Sequence, residues 1–477
     1  MCLLLYCDDM DKKYQKSIFI FRRDLRLQDN LGLLTALNLS ETVIPLFIFD
    51  PKQIDRDKNE YFSEPAFDFM VNSLAELSDE LKNKNSHLYI CHGDPSSVVE
   101  NLLKKDGVDA VYVNKDYTPF SRKRDGALLD ICTKYNVPFS RHEDCALTSL
   151  ENIRTEQGKI YTVFTPFMKK AMGQAIPKPQ KNTLSNYFST PLKTPISSLA
   201  DYPTNPAPKQ IHRGGRKEAL KLLKKRDYLK NYKEGRNLPA TLGTSTLSPH
   251  HKFGTVSIRE SYHMAEKHAG KHSQFISELY WRDFYFYIAY HFPIVFKKSF
   301  LPWAKEIVWI NDKNQFAAWC EGKTGVPMVD AGMRELNETG WMHNRSRMIV
   351  ASYLTKNLLI DWRWGEKYFA TKLIDYDPSQ NNGGWQWSAS TGADQRPLRI
   401  FNPYTQAVKY DPDAVYIKKW VPELQEVESQ KLTDGKTQDL SILASDYPEP
   451  LVDQKESYHR VREVYKQAKT AYNKKLT

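Results

Sequence analysis

Three segments in the C-terminal half of the chain concentrate polar and aromatic residues that a hydrophobic core would not select. They read SELYWRDFYFY from residue 277, GWMHNRSRM from residue 340, and DWRWGEKYFATKLIDYDPSQNNGGWQWSAS from residue 361. Burying a charged side chain is costly unless it pairs with another charge or with a ligand. The charges concerned are those of Arg345, Arg347, Asp375 and Asp377. The segments therefore predict a polar pocket with aromatic walls, and a structural network of ion pairs is the alternative interpretation.

Helices are expected to position these segments. From about residue 257, apolar residues recur at the spacing of an amphipathic helix, as in Phe275, Leu279 and Phe284, and again through residues 342–359. Glycines at positions 340, 365, 383 and 384 interrupt the pattern. All ten tryptophans of the chain lie in this half. We predict that residues 211–477 form an all-α domain that carries the pocket.

The first part of the chain alternates between β-rich runs and amphipathic stretches. The runs are SIFIF, TVIPLFIF, HLYICHG, AVYVN and the stretch that leads to Val137 and Pro138. This rhythm predicts a parallel sheet with crossover helices, in a Rossmann-like α/β domain over residues 17–150 that follows a short extension, residues 1–16. No GxGxxG motif follows the first run. Seven of the 26 prolines fall within residues 177–208, so residues 151–210 are predicted to be an interdomain linker.

Composition and charge narrow the classes of function. The chain is 41% hydrophobic and 26% charged, which excludes a largely disordered protein. Its longest apolar runs, such as residues 349–354, fall far short of the ~18 residues that a membrane-spanning helix needs. A net charge of +11 makes a polyanion, nucleic acid above all, a sensible partner. Six scattered cysteines form no CxxC pair, so we expect reduced thiols and no metal site.

Seven motifs follow one another along the chain. They read FRRDLRLQDN, GTSTLSP, ELYWRDFY, EGKTGVPMVDAGMRELNETGWMHNRSRM, DWRWGEKYF, NNGGWQWSASTG and RIFNPYTQ. Together they resemble the photolyase/cryptochrome flavoprotein family, most closely the class I cyclobutane pyrimidine dimer (CPD) DNA photolyases. The likeness extends from about residue 17 to Leu424 and is weak between residues 151 and 230. It implies that the helical domain binds FAD, and that the chain is a light-dependent DNA repair lyase in which photoexcited reduced FAD donates an electron to a dimer flipped out of the DNA.

The resemblance also implies the residues that hold FAD. Small hydroxyl donors and backbone N–H groups just before Pro249 suit its phosphates. Around the flavin ring, Asn381 is expected to face the reactive nitrogen, and Arg347 to be the ion partner of Asp375. The full set of cofactor-binding residues is Tyr232, Thr244, Ser245, Thr246, Leu247, Ser248, Asn344, Arg347, Asp375, Asp377 and Asn381.

A second set of residues is implied for the lesion. Indoles offer apolar faces on which pyrimidines can stack, at roughly 1 to 3 kcal/mol per base. Glu278 can accept a hydrogen bond from a base edge, and it is taken with Asn381 as catalytic. The substrate-binding set is Glu278, Trp281, Asn344, Arg345, Met348 and Trp387.

The resemblance implies a chain of three tryptophans that carries electrons to the flavin, namely Trp385, Trp362 and Trp309. Without the family motifs, ten tryptophans in one helical domain would more simply be core packing.

Departures from the family pattern bear on substrate and antenna. Met348 stands where members that repair the pyrimidine–pyrimidone adduct carry their second catalytic histidine, which favours dimer repair. His250 and His251 are taken as structural or surface residues. Phe120 and Ser121 replace the pair that accompanies a folate antenna, so a deazaflavin or a second flavin is the more plausible antenna chromophore, if one is bound. Only Leu398 separates Pro397 from Arg399, where related enzymes carry two residues.

We therefore expect a monomeric, cytoplasmic, DNA-associated protein, nuclear if the source is eukaryotic. It is expected to bind double- or single-stranded DNA that carries pyrimidine dimers, and no membrane. Two alternatives stay open. A cryptochrome-type blue-light photoreceptor shares the cofactor but usually adds a longer tail than the about 50 residues that follow Leu424, where the likeness ends. A plain flavin-dependent reductase needs an open route for a hydride donor.

Overall fold

A computed structural model describes residues 12–394, 398–435 and 440–476 of the chain. Five parallel strands form one sheet in the order β3-β2-β1-β4-β5. The strands are β1 (Tyr14–Phe21), β2 (Ser40–Phe49), β3 (Tyr89–His92), β4 (Ala110–Asn114) and β5 (Phe139–His142). The helices between and beside them are α1 (Leu31–Leu39), α2 (Pro51–Ile54), α3 (Glu64–Lys82), α4 (Pro95–Asp106) and α5 (Pro119–Lys134). The predicted Rossmann-like α/β architecture is confirmed.

The sheet is buried on both faces, which is why its strands are apolar runs rather than alternating ones. Phe19 and Phe21 of β1 point into one hydrophobic cluster. Ile18 and Ile20 point into the cluster on the opposite face, because successive side chains of a strand alternate. The first strand begins at Tyr14, within the segment predicted to be an extension, and residues 1–11 of that segment lie outside the described residues.

Helices make up the rest of the described chain. The predicted linker contains α6 (Phe164–Ala171), and only the 3-10 helix Leu199–Asp201 falls within the proline-rich part that the structure describes. The later helices are α7 (Arg216–Lys224), α8 (Asp227–Lys230), α9 (Tyr232–Gly235), α10 (Ser248–Phe253), α11 (Ile258–Ala269), α12 (Gln274–His291), α13 (Lys313–Glu321), α14 (Pro327–Thr339), α15 (Asn344–Ser352), α16 (Trp362–Lys372), α17 (Pro378–Ser388), α18 (Pro403–Tyr410), α19 (Val415–Trp420), α20 (Ser429–Thr433) and α21 (Gln454–Lys474). Three more 3-10 helices cover Pro293–Phe296, Pro302–Glu306 and Pro422–Leu424, and a π-helix at Tyr353–Asn357 continues α15. The predicted all-α half is confirmed.

A buried network of charges joins the sheet to the helices. Arg259 of α11 donates to Asp29 at 3.0 Å and to Asp144 at 2.7 Å. Arg26 also pairs with Asp144, at 2.7 Å, and all four side chains are at most 3% exposed. Because each buried charge is paired, the network holds the two parts of the molecule together without leaving an isolated ion.

The described residues also bear on membrane-spanning helices, cysteine pairing and metal sites. In the part of the chain that the structure describes, no helix is long and apolar enough to span a membrane. Cys91, Cys132, Cys145 and Cys320 are free thiols. Among the same residues, no group of three or more His, Cys, Asp and Glu side chains could hold a metal ion.

Candidate active site

Two aspartates precede and start α17, the helix that carries Asn381, Trp385 and Trp387 of the predicted site. Asp377 is the N-cap, and its Oδ1 accepts from the backbone N–H of Ser379 at 2.9 Å and of Gln380 at 3.1 Å. Pro378 at the first helical position needs no such partner. The other oxygen of Asp377 pairs with Arg23 from the end of β1. Burial raises the pKa of Asp377, but the charges of Arg23 and Lys252 outweigh it, so the pKa lies below its usual value and the group stays ionised.

The predicted ion pair between Arg347 and Asp375 is present. Arg347 Nη2 lies 2.8 Å from Asp375 Oδ2, and Arg347 Nε donates to the carbonyl oxygen of Met342 at 2.8 Å. The guanidinium is thus fixed from two sides, and one oxygen of Asp375 is committed to it. We call Arg347, Asp375, Asp377 and Asn381 the polar cluster.

Asn381 is held by a residue that the sequence analysis did not identify. Its Nδ2 donates to the backbone oxygen of Glu366 at 3.0 Å and to Glu366 Oε1 at 2.9 Å. Burial raises the pKa of Glu366 to about 7, although hydrogen bonds from Asn381 and Tyr376 oppose that shift. The amide nitrogen is therefore committed to the protein. The signal in the sequence was an acid in the middle of the tryptophan-rich segment DWRWGEKYF.

Glu278 on α12 also has an ion partner that was not predicted. Arg236 Nη1 lies 2.5 Å from Glu278 Oε1, and Gln274 Nε2 donates to the same oxygen at 2.6 Å. Burial raises the pKa of Glu278, and the charge of Arg236 opposes the rise. Tyr232, on α9 next to Arg236, packs edge-on against Phe275 with ring centroids 5.3 Å apart.

The residues predicted to contact the lesion come from α12, α15 and α17. Trp281 stacks on Phe164 with ring centroids 3.7 Å apart. Trp387 lies under the guanidinium of Arg399, 5.2 Å from the ring centroid. Met348 is partly buried. We call Trp281, Met348 and Trp387 the aromatic set. Met348 is included because its thioether resembles the aromatic rings in polarity.

Asn344 and Arg345 lie in the first turn of α15. Asn344 is exposed, and its Nδ2 is 3.7 Å from the sulfur of Met348. Arg345 donates to Asn237 Oδ1 at 2.5 Å and stacks over Tyr410, 4.2 Å from the ring centroid. Asn344 thus lies next to Met348 of the aromatic set, whereas Arg345 contacts Asn237 and Tyr410.

Helices α12 and α17 bring the two groups of residues together. Gly383 of α17 faces Tyr285 so closely that a β-carbon there would lie 2.1 Å from the tyrosine ring. Tyr285 in turn contacts Trp281, with ring centroids 5.7 Å apart. The run NNGGWQW, which could have been a simple turn, is instead helical, and Gly383 is its site of close approach.

The run predicted to hold phosphates leads into α10. Thr246 adopts a left-handed conformation with φ of 52°, and Leu247 is fully buried. Leu247 N donates to Ser245 Oγ at 3.3 Å, while Thr244 is partly buried. Ser248 is exposed, and its Oγ lies 3.3 Å from Trp341 Nε1. His250, two residues on, is fully buried and shares a hydrogen bond with Thr255, so it is structural.

The three tryptophans predicted to carry electrons share one hydrophobic cluster. Trp385 and Trp362 are each 2% exposed, whereas Trp309 is partly exposed at the edge of the cluster. Trp385 packs against Phe369 at 4.9 Å between ring centroids. Trp362 Nε1 lies 3.3 Å from Ser299 Oγ. Trp385 and Trp362 are thus equally buried, and of the three only Trp309 is partly exposed.

Comparison with known proteins agrees with this arrangement. Residues 17–183 match the family model of DNA photolyase, and residues 275–467 match that of the FAD binding domain of DNA photolyase. A deoxyribodipyrimidine photo-lyase of Synechococcus sp. is 36% identical over 95% of this chain and 97% of its own length. One of Vibrio cholerae is 37% identical over 94% of this chain and 99% of its own length. The chain belongs to the DNA photolyase family.

Solved structures of the family have the same fold. An archaeal photolyase from Sulfolobus tokodaii, crystallised with two FAD molecules, superposes with a TM-score of 0.86 at 42% identity, over 95% of this chain and 100% of that one. A cryptochrome of Synechocystis superposes with a TM-score of 0.83 at 28% identity, over 96% of this chain and 100% of that one. The predicted family and FAD as cofactor are therefore confirmed, and so, at the level of the family, is light-driven DNA repair.

The polar cluster fits the FAD of the photolyase family. Three buried polar atoms between residues 375 and 380 have no hydrogen-bond partner among the described residues, namely Asp375 Oδ1, Ser379 Oγ and Gln380 Nε2. Leaving buried polar atoms unpaired costs about 1–3 kcal/mol each, so their clustering indicates a place for a polar ligand. A carboxylate acceptor, an amide donor and a hydroxyl that can do either suit a flavin edge, which offers both N–H and carbonyl groups.

Proposed function

We propose that the chain is a deoxyribodipyrimidine photo-lyase that splits cyclobutane pyrimidine dimers in DNA under light. One observation supports it above the others: α17 carries Asn381 of the polar cluster and Trp387 of the aromatic set within a few residues, and α12 with Trp281 packs against it. A cofactor held at the polar cluster would thus lie next to a base held on the indoles.

When bound, FAD supplies light absorption and reversible electron transfer, which protein side chains cannot provide. The polar cluster orients it. Asp375 Oδ1 would accept from a flavin N–H, and Arg347 holds the other oxygen of Asp375 in place. Asn381 offers its carbonyl oxygen to the ring because Glu366 occupies its amide nitrogen. Tyr232 and residues 244–248 hold the phosphates.

The aromatic set receives the lesion. Neutral π faces on Trp281 and Trp387 suit the apolar faces of a dimer that has left the DNA stack. Glu278 accepts a hydrogen bond from a base edge, and Arg236 holds its carboxylate in position. Met348 offers no proton, which suits ring opening of a dimer rather than repair of the adduct. The chain acts as a monomer on single- or double-stranded DNA, where Asn344 and Arg345 contact the damaged strand.

An absorption spectrum and a photorepair assay test this function directly. The purified chain should show the absorption bands of FAD, and light should restore a thymine-dimer oligonucleotide in the presence of a reductant. A dark sample and an undamaged oligonucleotide are the controls. FAD without any light-dependent repair would contradict the proposal and favour the cryptochrome-type photoreceptor instead.

Trp385, Trp362 and Trp309 form the electron route to FAD in this proposal. Because Trp362 is the middle member, replacing it by phenylalanine should slow photoreduction of oxidised FAD by an order of magnitude or more. Repair by enzyme that has been reduced chemically should be unchanged, since that reaction needs no external electron. The matched control is W303F, which changes a tryptophan outside the proposed route. Equal slowing in both variants would contradict the assignment.

We also propose that the α/β domain binds a second chromophore. The relative from Sulfolobus tokodaii holds two FAD molecules, and Phe120 of this chain is 38% exposed at the start of α5. We therefore favour a flavin-type antenna over a folate. Extraction of the purified protein and chromatography of the released chromophores test this, and one FAD per chain with no other chromophore would contradict it.

A further inference from the structure

The indole of Trp281 has one of its two faces covered by another ring. Phe164 stacks on it with centroids 3.7 Å apart and planes 9° apart. Phe164 is buried, whereas Trp281 is only partly buried. A ring stacked in this way has a single face left for a ligand. Phe164 therefore decides which face of Trp281 a base can use.

Phe164 is itself held by a distant residue. It begins α6, and no side chain of the preceding residue caps that helix. Instead, Asp394 Oδ1 accepts from the backbone N–H of Phe164 at 2.9 Å, across 230 positions of sequence. The backbone N–H of Asp394 donates in turn to the oxygen of Thr162 at 2.9 Å. This reciprocal pair fixes the first turn of α6 as a local N-cap would.

Asp394 is tied to the end of α17, the helix that carries Trp387. The backbone N–H groups of Thr391 and Gly392 both donate to the oxygen of Gln386, at 2.9 and 3.1 Å. Lys356, which is fully buried, donates to Ser390 Oγ at 2.7 Å. Asp394 also adopts a left-handed conformation, with φ of 57°. Such a conformation is uncommon for a residue with a β-carbon and persists only where surrounding contacts impose it.

We propose that Phe164 and Asp394 are positioning residues of the lesion pocket. Asp394 places Phe164, Phe164 holds the indole of Trp281, and the separation between Trp281 and Trp387 is set in this way. The proposal rests on the proposed function, in which those two indoles take the lesion. It makes α6, which the sequence placed in the linker, a part of the substrate site.

Phe164 has a matched control on the same helix. Phe167 is fully buried, and its ring contacts are with Phe284 and Tyr287, at 5.4 and 4.8 Å between centroids. F164L and F167L thus make the same change in the same helix, but only F164L removes the ring behind Trp281. Both variants, loaded with FAD, are titrated with a thymine-dimer oligonucleotide and with its undamaged counterpart at one salt concentration.

F164L should lower the ratio of the two affinities about three- to tenfold, since an aromatic stack contributes that much beyond its buried area. Its FAD content and its affinity for undamaged DNA should match the wild type. F167L should leave the affinity ratio unchanged. Equal losses in both variants, or an unchanged ratio in F164L, would overturn the inference.

Asp394 provides an independent test. D394N keeps an oxygen acceptor and tolerates the left-handed conformation, whereas D394G removes the acceptor without adding backbone strain. D394G should reproduce the loss of F164L, and D394N should restore the wild-type ratio. Identical behaviour of the two would overturn the role of Asp394. A wild-type chain that binds both oligonucleotides equally would overturn the proposed function and this inference with it, whereas a wild-type preference that survives in F164L overturns the inference alone.

Discussion

The polar cluster and the aromatic set each have one residue on α17, Asn381 and Trp387, but the two sets are held in different ways. In the polar cluster, Arg347, Asp377 and Asn381 each have a partner from elsewhere in the chain, at hydrogen-bond distance. In the aromatic set, Trp281 stacks on Phe164, and Trp387 lies under the guanidinium of Arg399. Charges with fixed partners suit a permanently bound cofactor, while neutral faces suit a substrate that comes and goes.

The largest expected effect comes from the polar cluster. D375A leaves Arg347 without its partner, and breaking a largely buried ion pair costs about 3 kcal/mol. We expect most of the FAD to be lost and the free energy of unfolding of the apoprotein to fall by about that amount. Absorbance and denaturant titration measure both.

A surface pair is the control for D375A. Lys367 and Glu60 lie 2.6 Å apart with side chains 44% and 70% exposed, so K367A should cost less than about 1 kcal/mol. Full FAD occupancy in D375A would show that the polar cluster does not hold the cofactor.

The pH dependence of the free energy of unfolding tests Glu366, the residue that holds Asn381 of the polar cluster. Burial raises the pKa of Glu366 to about 7 in the folded chain, above its value in the unfolded one. The folded state therefore binds more protons, and the stabilisation that results is complete below the unfolded pKa and is lost as the pH rises through 7. Glu366 should thus change the free energy of unfolding by ~3 kcal/mol between pH 4.5 and 8. In E366Q this change should be absent, so the unfolding free energy should vary less over the same pH range.

Asp283, whose pKa burial raises to about 7, is the control for E366Q, because it faces Leu147 and not Asn381. D283N should flatten the stability profile in a similar way but leave the flavin spectrum unchanged. E366Q should change the spectrum, because the hydrogen-bond partner of Asn381 changes. If E366Q and the wild type have identical flavin spectra, Glu366 is not part of the flavin site.

The smallest expected effect comes from the aromatic set. W387A removes one stacking face, which lowers the affinity for dimer-containing DNA by about 1 to 3 kcal/mol. FAD content and affinity for undamaged DNA should stay the same, because no charge is changed. Fluorescence anisotropy measures both affinities, with W364F as a control in the same helical domain. If W387A loses FAD, the aromatic set and the polar cluster do not act independently.

Pairs in which the family motifs placed both residues at the flavin were within reach of sequence reasoning, and other pairs were not. The ion pair between Arg347 and Asp375 was predicted, because family motifs placed both residues at the flavin. The pair between Arg23 and Asp377, and the contact between Asp394 and Phe164, join positions 354 and 230 residues apart. Motif spacing carries no information on such contacts, and no roles were assigned to Glu366, Arg236 or Phe164.

Sequence by itself determined the two architectures and the chemistry of the site. Buried parallel strands must be continuous apolar runs, helices must repeat their apolar residues every three to four positions, and residue types limit the ligands that they can bind. Only the tertiary structure decided which partner each polar group received and which indole face stayed open. Those outcomes depend on how α6, α12 and α17 pack, and helix packing brings together side chains whose distance along the chain has no bearing on their distance in space.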